Sequence, residues 1–149
     1  ATAVALAKNV KNIVGIKAAS GDLSQIAKMM SMADGALELY SGNDDQVLPV
    51  LSLGGLGVIS VLSNVAPKET HDMVMKFLEG DIKGAAEIQL KAIPLIHALF
   101  SEVNPIPVKA ALNLMGKEAG PLRMPLTEMD DANKEVLAQA MKDFGIKLA

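Results

Sequence analysis

The 149-residue chain has no cysteine and no tryptophan, one tyrosine and three phenylalanines. Without cysteine there can be no disulfide and no thiolate chemistry, a composition that suits a reducing, cytoplasmic location. With aromatics at 3%, the core has to be aliphatic, built from Leu, Ile, Val, Ala and nine Met. Runs of like charge are also missing. The 14 basic and 17 acidic residues are interspersed and leave a net charge of −3, so no basic stretch offers itself to a phosphate backbone. Nucleic acid is not an expected partner. Every apolar stretch is broken by Gly, Pro or charge before it reaches membrane-spanning length, and the N-terminus lacks the charged and cleavage regions of a signal peptide. No membrane partner is expected either.

Half the residues are apolar and the mean hydropathy is +0.31, enough for one domain with a substantial core. Three short β-type runs stand in the first part of the chain: Asn12 to Lys17, Leu37 to Gly42 and Gly57 to Ser63. Each leads into helical periodicity. After the first, Ser20-Gly21-Asp22 is good N-cap chemistry, followed by Leu23, Ile26, Ala27 and Met30 at the spacing of one buried face. After the second, Asn43-Asp44-Asp45 can cap a short helix carrying Val47, Val50 and Leu51, with Pro49 in its first turn, where a missing N–H costs little. The third leads to Pro67 at a helix start, with Met73, Val74, Phe77 and Leu78 facing inward. Strand, helix, strand at this repeat length predicts parallel strands with covering helices, an α/β fold. The first and third runs show little polar alternation, as expected of strands buried on both faces.

Gly80-Asp81 punctuates the chain, and beyond it the pattern is helical. A helix is expected from Ile82 to Phe100 with Pro94 inside it, another from the Asn104-Pro105-Ile106-Pro107 turn through Leu114, and a last one capped by Asp130 or Asp131 and carrying Val136, Leu137, Ala140 and Met141. Three parallel strands leave a physical problem. A closed barrel of this kind needs about eight strands, and an open three-stranded sheet exposes two apolar edges. The chain opens on Ala1, and Thr2 to Lys8 read as the tail of a helix, which is expected of a piece of something larger.

Lys17 is the candidate reactive group. A lysine at the C-terminal end of a buried parallel strand lies where α/β folds place their chemistry, and apolar walls there would favour the neutral amine that attacks carbonyls to form a Schiff base. The alternative is a strand-ending lysine that reaches water, as most lysines do. Ser41-Gly42-Asn43-Asp44-Asp45 shares that strand-end rim. Its glycine can let a ligand approach the backbone, and its acids can cap a helix or bind a metal, although no further ligands for a metal are evident. Gly54-Gly55-Leu56-Gly57 ends a helix and precedes a strand, the reverse of a dinucleotide cradle, so it reads as a helix stop. His71 and His97 stand alone on helices, without an evident triad or zinc partner.

The string from Asn12 to Asp22, with Ser41-Gly42, Gly57-Val58-Ile59-Ser60-Val61, Asn64-Val65-Ala66-Pro67, Asn104-Pro105-Ile106-Pro107-Val108-Lys109 and Leu122-Arg123-Met124-Pro125-Leu126, closely resembles the C-terminal half of the dihydrodipicolinate synthase family, within the wider N-acetylneuraminate lyase superfamily. The resemblance runs the whole chain in order. It implies a partial (β/α)8 TIM barrel over residues 1–80, containing strands six to eight, and a C-terminal helical domain over residues 81–149. It implies that Lys17 forms a Schiff base with pyruvate, whose enamine attacks aspartate semialdehyde in lysine (diaminopimelate) biosynthesis, and that Gly42 and Ile59 lie near the bound pyruvate. No cofactor or metal is implied beyond that covalent adduct. The implied partners are the two small-molecule substrates and either a second copy in a homo-oligomer or the missing half of the barrel. The chain departs from the family in having Ala18 where an acid commonly follows the lysine. Nothing in it matches the first five βα units, which carry the family's tyrosine and threonine proton relay, and Tyr40 does not match that relay. Little or no synthase activity is therefore expected of the chain alone.

Overall fold

The computed structural model describes all of residues 1–149. The chain forms two compact units, one made of residues 1–60 with 72–86 and the other of residues 61–71 with 87–149.

The first unit is built on a three-stranded parallel sheet in the order β1 (Gly15–Ala18), β2 (Glu38–Ser41), β3 (Gly57–Val58). Helix α1 (Thr2–Asn9) precedes it, α2 (Leu23–Ala33) joins β1 to β2, and a 3₁₀ turn at Asp44–Gln46 with α3 (Val47–Ser52) joins β2 to β3. Helix α2 starts where the sequence predicts. The Asp22 carboxylate accepts the backbone N–H of Gln25 at 3.0 Å, satisfying one of the free donors of the first turn. It stops at Asp34 and Gly35, both with positive φ. On the helix side of the sheet, Ala18, Leu39, Ile26 and Val50 form a buried cluster with Ile16, Met29 and Met30 against it. Val4, Ala33 and Leu37 join α1 to the same layer.

Two strands are shorter than the sequence predicts. The first begins at Gly15, not Asn12, because a turn closed by the Ile13 N–H on the Val10 carbonyl takes up the residues before it. The third ends at Val58, not Ser63. Its last sheet bond runs from the Ile59 N–H to the Ser41 carbonyl at 2.8 Å; β2 ends there, and the chain then enters a 3₁₀ turn at Leu62–Asn64. The expectation that β1 is buried on both faces is not met: Gly15 and Lys17 are exposed, Val14 is 62% exposed, and only Ala18 is buried. Helices cover one face of these strands, and no element of the unit covers the other.

Helix α4 (Pro67–Leu78) begins on its proline, as expected from the fixed φ of that residue. Met73 is fully buried, but Leu78 is 52% exposed, against the predicted inward set. Helix α5 (Ile82–Leu99) keeps Pro94 within it. The second unit adds α6 (Ile106–Leu114) and α7 (Asp131–Phe144). Its core packs Leu62, Leu95, Leu99, Ile106, Ala111, Leu137, Met141 and Phe144 together, an aliphatic core with a single aromatic ring. The Asp130 carboxylate caps α7 through the Ala132 N–H at 2.9 Å, and Gly145, at φ 108°, ends it. Within that helix Val136 is 62% exposed, while Leu137 and Met141 carry the packing. No helix is long and apolar enough to cross a membrane.

Candidate active site

Successive strand residues point to opposite faces, so the register of the sheet decides which side chains share the uncovered face. Lys17 pairs with Tyr40, and Tyr40 with Gly57, which puts the three in one row across the strands. Two residues further along each strand, toward the C-terminal ends, lie Ala19, Gly42 and Ile59. Lys17 thus occupies a strand-end position on the open face, with its family-implied neighbours Gly42 and Ile59 one step above it.

The closeness of Gly42 to Lys17 can be measured by the room a side chain would need. A Cβ placed on Gly42 would lie 2.6 Å from the Ala19 Cβ, 3.0 Å from the Ala18 carbonyl oxygen and 3.0 Å from Lys17 Cγ. The Gly42 N–H donates to that same Ala18 oxygen at 2.7 Å, which holds the two strand ends together. Only glycine fits here without a shift of the neighbours, because the backbone of one strand passes so near the other. Ile59 is 49% exposed on the same face.

The apolar enclosure expected around Lys17 is absent in this chain. The lysine is exposed, because the face it shares with Tyr40 and Ile59 has no layer packed over it. Its position, and not its burial, is what agrees with the sequence reading.

The loops at this rim are held by polar contacts. The Ser41 hydroxyl donates to the Asn43 carbonyl at 2.8 Å and accepts from the Asn43 N–H at 3.3 Å. Asn43 itself makes no side-chain cap to the turn that follows, so the cap expected at that residue is replaced by this Ser41 turn. The Gln46 amide donates to the Gly21 carbonyl at 3.0 Å, tying the loop after β2 to the loop after β1. Asp44 is buried. No cluster of three or more His, Asp or Glu side chains is gathered that could hold a metal ion. The Gly54-Gly55 turn is a helix stop: Gly54 has φ 87°, and a Cβ on Gly55 would lie 2.7 Å from the Val50 carbonyl oxygen. His71 and His97 lie on α4 and α5, away from this sheet row in the sequence.

Tyr40 belongs to no motif in the sequence. The signal that places it beside Lys17 is register: both stand two residues before the small residue, Ala19 or Gly42, that closes their strand-end turn.

The family model for the dihydrodipicolinate synthetase family matches residues 1–144. The 4-hydroxy-tetrahydrodipicolinate synthase of Lachnoclostridium phytofermentans is 59% identical over 145 residues, which are 97% of this chain and 49% of that protein. The enzyme of the same name from Thermoanaerobacter sp. is 52% identical over 145 residues, with the same coverage of both. Among solved structures, dihydrodipicolinate synthase from Thermotoga maritima superposes with a TM-score of 0.92 at 44% identity, covering 97% of this chain and 50% of that one. The chloride-inhibited Acinetobacter baumannii synthase complexed with pyruvate superposes at 0.90 with 39% identity, covering 98% and 50%. The chain spans about half the length of the curated relatives it matches. With almost its full length matched by the family model and by relatives of this similarity, the chain belongs to the dihydrodipicolinate synthetase family.

Proposed function

We propose that this chain is the lysine-bearing half of a Schiff-base-forming lyase that condenses pyruvate with aspartate semialdehyde in lysine biosynthesis, with Lys17 as the nucleophile. The observation that carries the reading is the strand-end row in which Lys17 stands against the bare backbone of Gly42 with Ile59 on the same face. The missing side chain at Gly42 lets the Lys17 stem pass against the backbone of β2 on the open face.

The chemistry follows from the amine. The Lys17 nitrogen bonds to the keto carbon of pyruvate, the carbonyl oxygen leaves as water after proton transfer, and an iminium remains. Loss of a methyl proton then gives the enamine. Its terminal carbon forms a carbon–carbon bond to the aldehyde of the second substrate, whose oxygen takes up a proton. These proton transfers call for positioned acid–base groups, and such groups contribute about a hundredfold or more. Of the residues that the sheet register sets around Lys17, Ala18, Ala19, Gly42 and Ile59 carry no acid–base group, and Tyr40 is the one that does. The chain alone therefore forms the adduct slowly and turns over poorly, and full synthase activity requires the rest of the barrel. The partial-barrel reading, with barrel strands over residues 1–80 and a helical domain over 81–149, belongs to this proposal, as does a cytoplasmic site of action.

Incubation with pyruvate and borohydride, followed by intact-mass measurement, tests the assignment. One reduced pyruvate adduct is expected on the native chain and none on Lys17→Ala. No adduct, or an adduct that survives the substitution, would overturn it.

A second reading is favoured by the open sheet. Both edge strands are unpaired on their outer sides, and Val14 and Ile59 are exposed at 62% and 49%, an arrangement that invites pairing with another copy. In that reading the chain is a self-associating half-barrel. Light scattering separates the two: a monodisperse monomer counts against self-association.

A further inference from the structure

The loop after β2 is built outward from a buried anchor. Ser41, fully buried at the end of that strand, donates its hydroxyl to the Asn43 carbonyl at 2.8 Å and accepts the Asn43 N–H at 3.3 Å. The same Asn43 carbonyl accepts the backbone N–H of Gln46 at 3.1 Å, and the next residue, Val47, is fully buried. The backbone of Gln46 is thus fixed from both sides. From this base its half-buried side chain crosses to the loop after β1 and donates an amide N–H to the Gly21 carbonyl at 3.0 Å.

The receiving loop is short, and the proposed nucleophile stands at its root. Only Ala19, Ser20 and Gly21 separate the end of β1 from the Asp22 cap of α2, and Lys17 is the next-to-last residue of the strand. In this sheet β1 is an edge strand paired with β2 alone, so its end is held by backbone bonding from one side. The bond nearest that end runs from the Gly42 N–H to the Ala18 carbonyl at 2.7 Å. The Gln46 bond lies beyond it, as a second rung between the same two segments. The loops also run close there: a Cβ built on Gly21 would lie 3.8 Å from Asn43 Nδ2.

We propose that Gln46 is a positioning residue for Lys17: its amide fastens the loop after β1 to the rigid loop after β2, and so keeps the end of β1, with the lysine backbone, in register with β2. The inference rests on Lys17 being the Schiff-base lysine. The ends of edge strands open locally at little cost, and a neutral hydrogen bond shifts such an opening by roughly two- to tenfold. With the rung cut, the end of β1 spends more time out of register, and the amine is carried away from the strand-end row. Because the clasp acts on the lysine backbone and not on the acid, it alters the rate of attack and not the affinity for the keto acid.

The test is the rate of borohydride-trapped adduct formation against pyruvate concentration for the native chain, Gln46→Ala and Gln46→Glu, each normalised to the folded fraction by circular dichroism. Gln46→Ala is expected about fivefold slower at saturating pyruvate with an unchanged half-saturating concentration, as for a misplaced but intact reacting group. Gln46→Glu keeps the length of the side chain but turns a carboxylate oxygen toward the Gly21 carbonyl, so it is expected to be at least as slow as Gln46→Ala. A native rate per folded chain in Gln46→Ala overturns the proposal, even if urea unfolding shows a loss of stability, since the bond would then be structural only. So does a native rate in Gln46→Glu, which would show that donation to Gly21 is not the cause. A change confined to the half-saturating concentration also overturns it, by making Gln46 a contact of the acid. Absence of any adduct on the native chain removes the Lys17 assignment and this inference together, whereas a native adduct with indifferent Gln46 variants removes this inference only.

Discussion

Replacing Gly42 with alanine should disable adduct formation out of proportion to its effect on stability. The new Cβ would lie 2.6 Å from the Ala19 Cβ and 3.0 Å from both the Ala18 oxygen and Lys17 Cγ, whereas carbon atoms in good contact are about 3.5–4.0 Å apart. Of the three neighbours only Lys17 Cγ can swing away. The Ala19 Cβ is fixed to its backbone, and the Ala18 oxygen is held by the Gly42 N–H at 2.7 Å. Relief requires the ends of β1 and β2 to part, and the cost of such overpacking is about 1–3 kcal/mol. Urea unfolding followed by circular dichroism should show that loss. Parting the strand ends also moves Lys17, and a misplacement of about 1 Å can cost about a hundredfold in rate. Borohydride trapping should thus slow by at least about tenfold at equal folded protein. The control is Gly35→Ala, at the opposite end of the sheet. Gly35 has φ 78°, and a Cβ added there would meet nothing within 4 Å, so alanine costs about 1–2 kcal/mol of backbone strain and leaves trapping at the native rate. Gly42→Ala trapping at the native rate, or both variants slowed alike, would refute the argument that close backbone approach sets the lysine.

Two further outcomes concern the scaffold. Asp22→Ala removes the acceptor for the Gln25 N–H at the start of α2 and should cost about 1 kcal/mol in urea unfolding, with Asp22→Ser recovering most of it. At Asp81 the carboxyl is held below its ordinary value first by the hydrogen bond from Lys76 and then by the Gly84 N–H, so its folded pKa lies below its unfolded one. The stability it contributes is therefore present above the unfolded value and lost as pH falls through the folded one; an NMR titration should show its midpoint below the ordinary aspartate value, rising toward it in Lys76→Met.

The helix-facing side of the first unit was legible because its packing is local. Ile26 and Met30 of the expected α2 stripe pack on Ala18 and Leu39, partners supplied by neighbouring βα units, while Leu23 of the same stripe, in the first turn, is 37% exposed. The capping residues were legible for the same reason: Asp22 and Asp130 each bond a backbone N–H two or three residues away. Leu78 and Val136 were misplaced because an apolar residue at the margin of a helical stripe carries no sign of whether a neighbour reaches it, and in this chain both are more than half exposed. The extent of β3 was misjudged because strand length is set by the partner strand. Gly57 to Ser63 is apolar enough to extend, but β2 ends at Ser41, and the sheet bonding ends with it at Ile59.

The open face follows a different logic. Lys17 and Gly42 were singled out by their places at strand ends and then, with Ile59, by family resemblance, and the structure brings the three onto one face by register alone. Position on a strand end is a property of the backbone of one βα unit, so it survives in a chain half the length of its relatives. Burial of the amine is a property of whatever stands opposite, and nothing in the first unit does so. The same division explains why the sequence sets Tyr40 apart from the relay without showing that it stands beside Lys17. Lys17 and Tyr40 lie on different strands with no motif joining them, and only the pairing of β1 with β2 makes them neighbours. Register therefore brings together residues that no sequence motif joins.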